Sequence, residues 1–296
     1  MTRVAFIGFG EVASAFAPAL VAKGAHVAAY DVLLDQPGGL DKLKARAGQA
    51  PVSFSSVREA LEDAQYVFST VTTTVARDAA LMCVPHLGPR HTYVDMNATD
   101  PRVKLELEGI ITPAGAVFVE GALLGAVGVT GANTEMLLGG PHGRDAERVL
   151  AGELGMKARF YSEEYGKASM YKMLRSVFSK GLEALLIEFL TAGERAGIRD
   201  DLWQEVTQLM ANHPFDKTAS NWVRSHATAH TRRHHEMKQV ASVLRQLGIE
   251  PTMTAATEAF FERSGTLGLQ DRFRTTPVSM DEVVTFFNER LPRAGA

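Results

Sequence analysis

The chain has 296 residues, of which 46% are hydrophobic and 22% charged, with a formal net charge of -3. That is enough for about two domains with sizeable cores, and the charge excludes bulk electrostatic attraction to nucleic acid or to an anionic membrane. A single cysteine, Cys83, rules out an intrachain disulfide and a cysteine-based metal site, and no apolar run approaches the ~18 residues of a membrane-spanning helix.

Met1 to Gly8 run straight into a strand pattern without the zones of a secretory signal, so a cytoplasmic location is expected. The first ~160 residues alternate short apolar runs with helical patterns, which is how βαβ units on a parallel sheet read. Val4–Ile7 is a strand, Val12–Lys23 a helix closed by Gly24, and His26–Tyr30 the next strand. Pro37-Gly38-Gly39 marks a loop, and Ser56-Val57-Arg58-Glu59 has the spacing of a capping box. Tyr66–Val71 and Thr92–Asp95 read as strands with a helix between them, and Val117–Glu120 and Met136–Leu138 as later strands. After Ser162 the pattern turns helical. One long helix spans Ala168–Arg195, followed by helices near Asp201–Ala211, Lys217–Leu247, Thr254–Arg263 and Asp281–Arg290. The expected architecture is an α/β, doubly wound Rossmann domain over residues 1–162, then an all-α domain over 163–296.

Gly8-Phe9-Gly10-Glu11-Val12-Ala13 follows the first strand and opens the first helix in the form G-x-G-x-x-A. Gly8 permits the tight turn, Gly10 the approach of backbone to a pyrophosphate, and Ala13 close helix–strand packing. The free N–H groups of the helix start then face the phosphates. Asp31 closes the second strand, where a carboxylate accepts hydrogen bonds from the ribose hydroxyls of NAD and repels a 2′-phosphate. No arginine follows it in Val32-Leu33-Leu34. Asp31 as a mere loop cap is the plainer alternative. The expected cofactor is therefore NAD rather than NADP, bound by Gly8, Phe9, Gly10, Glu11, Val12 and Asp31, with Val71 and Thr72 from the end of the Tyr66–Val71 segment.

At this point the sequence resembles the β-hydroxyacid dehydrogenase family, which includes 3-hydroxyisobutyrate and 6-phosphogluconate dehydrogenases. It is most similar to a branch whose phosphogluconate-dehydrogenase-like C-terminal domain has no settled substrate. Besides the glycine loop, Val94-Asp95-Met96-Asn97-Ala98-Thr99-Asp100-Pro101 is similar to the family's D-x-S-T-x-x-P. Phe118-Val119-Glu120-Gly121-Ala122-Leu123-Leu124-Gly125-Ala126 is similar to D-A-P-V-S-G-G. Gly166 to Ser176 is similar to G-x-G-x-x-x-K-x-x-N-N, in which the lysine is catalytic; here it is Lys172. The resemblance implies substrate contacts from Asn97, Leu124, Gly125, Arg175 and Ser176, and a homodimer formed through the C-terminal domains. Several groups depart from the pattern. Asn97-Ala98 replace Ser-Thr, Leu124 replaces the serine of S-G-G, and Arg175-Ser176 replace two asparagines. His235-Glu236-Met237 falls where many members have K-D-L. These departures imply a relocated anion grip and a substrate with a larger apolar portion than 3-hydroxyisobutyrate.

Lys172, Ser176, Ser179 and Glu183 recur at helical spacing and share one face. Such a stripe is either solvated or lines a cleft. In oxidation of an alcohol, Lys172 would remove the O–H proton while hydride leaves carbon for the nicotinamide. His226, His230 and His234 form a second stripe. It reads most simply as a solvated basic face, since helical ligands at this spacing diverge and no metal is expected. The resemblance implies a functional alternative: this helix lies near the active cleft, where Arg232 or Arg233 would bind a substrate carboxylate or phosphate and His235 would replace the family's second lysine beside the cofactor. The expected activity is hydride transfer between NAD and a small-molecule hydroxy acid or related secondary alcohol. An imine reductase on the same scaffold and a non-catalytic NAD-binding protein are the alternatives.

Overall fold

A computed structural model describes residues 1–292. The chain divides into two compact units, the first Met1–Ser176 and the second starting at Val177.

The first unit is built on strands β1 (Arg3–Ile7), β2 (His26–Tyr30), β3 (Val52–Phe54), β4 (Tyr66–Ser69), β5 (Thr92–Asp95), β6 (Val117–Leu124), β7 (Glu135–Gly139) and β8 (Ala158–Ser162). They form one sheet in the order β3-β2-β1-β4-β5-β6-β7-β8, parallel except for the β6–β7 pair. Val4, Ala5, Phe6 and Ile7 are buried on both faces, as a central parallel strand requires. Helices α1 (Glu11–Ala22), α2 (Gly39–Ala47), α3 (Val57–Glu62), α4 (Ala76–Cys83), α5 (Pro101–Ile111), α6 (Val127–Thr130) and α7 (Gly143–Glu147) complete it. Two apolar layers sandwich the sheet, one around Phe6, Phe16 and Leu20, the other around Ile7, Tyr93 and Leu107. The capping box forms as expected: Ser56 Oγ accepts from Glu59 N, and Glu59 returns a bond to Ser56 N.

Two strands escaped the sequence reading. β3 is three residues long, and β8 is an edge strand that alternates with exposed Arg159 and Tyr161. A third element differs in extent. β6 continues past Glu120 to Leu124, because Gly121–Leu124 pair with Leu138–Glu135 of β7. The turn therefore begins at Gly125, with φ +125°.

The register aligns Tyr30, Ile7, Ser69, Asp95 and Glu120 in one row across β2, β1, β4, β5 and β6. This row is the carboxyl edge of the parallel strands. The crevice where the chain switches direction, between β1 and β4, opens beyond it and is where open α/β sheets bind ligands.

Helix α8 (Lys167–Ala196) runs across the division between the units. The expected domain limit at 162/163 coincides with the end of β8, whereas the compact units part inside α8. The second unit continues with α9 (Arg199–Asn212), α10 (Phe215–Gln246), α11 (Thr252–Thr266), α12 (Leu269–Arg272) and α13 (Met280–Arg290). Its small core gathers Ala227, Leu269, Phe273, Val283 and Phe286. Glu188 of α8 accepts bonds from Met253 N, Thr254 N and Thr254 Oγ1 at the start of α11. Burial pushes this carboxyl up, but those hydrogen bonds outweigh it and hold the group below the usual range. Among the described residues no helix is long and apolar enough to cross a membrane.

Candidate active site

The glycine loop stands at the β1–β4 switch point. Gly8 has φ +87°, and a Cβ there would lie 2.8 Å from Val71 Cγ1 and 2.9 Å from Thr70 O, so only glycine fits. Thr70 Oγ1 donates to Gly8 O at 2.7 Å and locks the loop onto β4. Gly10 is the N-cap of α1, with no side chain capping the helix, and nothing lies within 4 Å of where its Cβ would stand. An uncapped helix start facing open space fits the pyrophosphate of a dinucleotide. Beside it is a cavity of about 510 Å³ lined by Gly8, Gly10, Asp31, Val71, Thr72 and Asp78, among others.

Asp31 does cap the loop, the plainer of the two readings considered for it. Its Oδ1 accepts from Leu33 N at 2.9 Å, capping the turn Val32–Asp35, and its Oδ2 accepts from Phe9 N at 2.7 Å. A carboxylate has about four acceptor positions, so room remains for ribose hydroxyls. Phe9 contributes differently from the expectation. Its ring is buried against Phe6 and Phe54, and its N–H is engaged by Asp31 rather than facing a ligand. Glu11 and Val12 supply first-turn N–H groups of α1. An arginine does approach the loop, from farther along the chain than Val32–Leu34: Arg46 Nη1 of α2 donates to Phe9 O at 3.1 Å.

Beneath the edge of β5 and β6 lie two buried carboxylates. Asp95 binds the fully buried Lys104, whose Nζ also donates to Asp95 O at 3.0 Å and Asn97 O at 2.8 Å. The expected substrate group Asn97 is itself 5% exposed. Its Nδ2 donates to Ser69 Oγ and to Asp95, leaving Oδ1 without a partner. Glu120, on the neighbouring strand, is fully buried. Its two oxygens accept from Gly166 N and Ser169 N, both at 2.6 Å, at the start of α8. Tyr165 adds a second tether through its hydroxyl to Phe118 O at 3.1 Å; burial, then Glu108 and Glu120, push that phenol up to about 12. Neither Lys104 nor Glu120 was singled out by sequence, although Glu120 lies within a quoted motif.

Lys172 follows Ser169 by one helical turn and is half-buried, as is Ser176. Ser176 Oγ donates to Lys172 O at 3.2 Å, so its hydroxyl proton is committed to the helix. Arg175, Ser179 and Glu183 are exposed. Leu124, the last residue of β6, is half-buried against Ala122, Leu137 and Ala168, which leaves only part of it open to a ligand; Gly125 is exposed.

The histidine stripe is not a solvated face. His226 and His230 are 7% and 2% exposed and pack against α11. Ser264 Oγ gives its only proton to Phe260 O, so His226 Nε2, 2.9 Å away, is the donor to that hydroxyl. Burial, then His230 and Arg233, lower the His226 pKa to about 4. With Trp222, Phe260, Phe261 and Phe287 this ring walls an apolar cavity of about 610 Å³. His234 Nε2 stands 3.7 Å from Glu258, and His235 is exposed. Among the described residues no group of three or more His, Cys, Asp or Glu is arranged to hold a metal.

Comparison with known proteins agrees with this fold. Residues 3–99 match a family described as NADP oxidoreductase, coenzyme F420-dependent, and residues 194–264 a domain of unknown function, DUF1932. A conserved protein of unknown function, whose structure reveals similarity with 3-hydroxyacid dehydrogenases, is 31% identical. The match covers 91% of this chain and 97% of that one, with a TM-score of 0.59. The chain belongs to the β-hydroxyacid dehydrogenase-like family. It is an NAD(P)-binding oxidoreductase with a Rossmann domain. Glyoxylate/succinic semialdehyde reductase 1 of Arabidopsis thaliana is 22% identical to this family member over 281 residues, 91% of this chain and 94% of the plant protein. An imine reductase variant from Myxococcus stipitatus, solved with NAD+, is 16% identical, covers 97% of this chain and 100% of its own, and has a TM-score of 0.76. At that identity the likeness is one of fold.

Proposed function

We propose that the protein is an NAD-preferring, cytoplasmic dehydrogenase acting on the CH–OH group of a hydroxy acid or related secondary alcohol, with Lys172 as general acid/base. The observation that carries this reading is the anchoring of α8. Glu120 stands in the row that continues through Asp95 and Ser69 to Ile7, next to the glycine loop, and it holds Gly166 N and Ser169 N, one turn before Lys172. The lysine thus rises from the same carboxyl edge of the sheet as the cofactor loop.

Gly8, Gly10, Glu11, Val12, Asp31, Val71 and Thr72 would hold NAD, with Phe9 linking the loop to Asp31. When bound, NAD supplies the hydride acceptor in oxidation and the donor in reduction. The chain's own work is proton transfer and orientation. Lys172 takes the substrate O–H proton as the alcohol is oxidised and returns it on reduction. Arg175 offers a two-pronged contact to an anionic group, and Ser176, Asn97, Leu124 and Gly125 shape the surroundings. Asp31 and Asp78, both lining the adenosine-side cavity, disfavour a 2′-phosphate there, which supports NAD over NADP. Residues 1–162 serve the cofactor and 163–296 the substrate and a homodimer contact. The dimer is supported by the largely exposed apolar side chains of α8, including Leu174, Val177, Phe178 and Ile187.

The test is nicotinamide absorbance with a panel of hydroxy acids, carbonyl compounds, cyclic imines and amines. Turnover of a hydroxy acid or its keto partner is expected. Turnover confined to imines and amines would make the protein an imine reductase, and NADH binding without turnover of any class would argue for a non-catalytic role.

A further inference from the structure

Carboxylates lie close to the glycine loop, although its ligand is an anion. A pyrophosphate is an anion, and the start of α1 offers it N–H groups and roughly half a positive charge. Against that stand three carboxylates. Glu11 is exposed in the first turn of α1, with its Oε1 2.5 Å from the position a Gly128 Cβ would take, and Asp31 and Asp78 line the cavity.

Arg46 has the opposite charge and hydrogen-bonds to the loop. Its Nη1 donates to Phe9 O at 3.1 Å, while Phe9 N donates to Asp31 Oδ2 at 2.7 Å, so one residue separates a guanidinium from a carboxylate. Arg46 is exposed and takes part in none of the ion pairs found among the described residues. A guanidinium has five N–H donors, and the Phe9 bond uses one. The close seating of α2 brings the arginine there. A Cβ on Gly39 would stand 1.6 Å from Leu33 O, so the helix starts pressed against the very turn that Asp31 caps. Any side chain at position 39 would push α2, and Arg46 with it, away from the loop.

We propose that Arg46 binds the pyrophosphate of the dinucleotide, dividing the cofactor with Asp31: carboxylate to the ribose hydroxyls, guanidinium to the phosphates. The proposal rests on the reading of this cavity as the NAD(P) site. It needs no catalytic assay, because the contact is a binding contact.

Titration calorimetry of wild type and Arg46→Ala with adenosine, ADP, 2′-AMP, NADH and NADPH tests it. The exposed position makes the variant a mild one for folding. Adenosine affinity is expected to be unchanged, while ADP and NADH bind about tenfold more weakly. The salt dependence of ADP binding should shrink in the variant. ADP affinity equal to wild type overturns the proposal. So does an equal loss for adenosine, which would make Arg46 a prop for the loop. A loss confined to 2′-AMP and NADPH also overturns it, since the arginine would then read a 2′-phosphate. A wild-type protein that binds neither ADP nor NADH overturns the NAD(P) reading itself, and this contact with it.

Discussion

Glu120 of β6 and Ser169 of α8, 49 residues apart in sequence, are joined by a 2.6 Å hydrogen bond from the Ser169 amide to a fully buried carboxylate oxygen. The other oxygen takes Gly166 N. A strand thereby supplies the cap for the helix that bears Lys172, and the negative charge meets the positive end of the helix. Glu120→Ala would leave two peptide N–H groups buried without acceptors, a loss of about 3 kcal/mol. Denaturant midpoints of the two proteins measure it; a loss below about 1 kcal/mol would show that water or a neighbouring group replaces the carboxylate.

Lys172→Ala is expected to bind NADH as wild type does and to lose roughly 10²–10⁴-fold in turnover, the usual worth of general acid/base assistance. Pre-steady-state binding and steady-state rates on the substrate found in the panel separate the two effects. Near-normal turnover would assign the proton transfer to another group.

Asp31→Ser removes the carboxylate proposed to bind the ribose and keeps a smaller hydroxyl. NADH binding should weaken by about tenfold and the gap to NADPH should narrow. Because Asp31 also caps Val32–Asp35, thermal unfolding should be followed in parallel. Tighter binding of NADPH than NADH by the wild type would remove the basis of the NAD preference.

His226 makes stability depend on pH. Its folded pKa is lowered to about 4 from the ordinary value near 6.5, by burial first and by His230 and Arg233 next. The unfolded ring protonates as pH falls through about 6.5, while the folded ring stays neutral. The contribution is therefore complete above that value, is lost progressively between about 6.5 and 4, and changes no further below it. The full amount is about 3 kcal/mol. His226→Phe should flatten the fall in unfolding free energy between pH 7 and pH 5; parallel curves for both proteins would contradict the burial-driven shift.

Light scattering at micromolar concentration should give the mass of a dimer. Leu174, Val177, Phe178 and Ile187 are 57–73% exposed on one chain, too much apolar surface on a single helix to leave in water. Val177→Glu combined with Phe178→Glu should shift the mass to that of a monomer. A monomeric wild type would leave the exposed apolar side chains of α8 to some other cover.

Elements whose signal is local were legible in the sequence. The strand–glycine loop–helix start, Asp31 at the end of β2, the Ser56–Glu59 capping box and the long α8 depend on neighbours within a few residues, and each formed within a residue or two of its expected place. The short β3, the edge strand β8 and the extension of β6 lack that local signature, because pairing across the sheet stabilises them. The same distinction runs through the site. Lys172 could be picked out by its motif, but Lys104 under Asp95, Glu120 under α8 and Arg46 against Phe9 are partnerships over 9, 46 and 37 residues. The histidine stripe was visible as a periodicity, yet whether its face met water or Phe260, Phe261 and Ser264 depended on where α11 packs. Sequence by itself determined the central strands, the long helices and the place of the glycine loop, since those follow from backbone propensity and spacing. Only the tertiary structure decided which charges are buried and paired, because desolvation and hydrogen bonding act through distance in space and not along the chain.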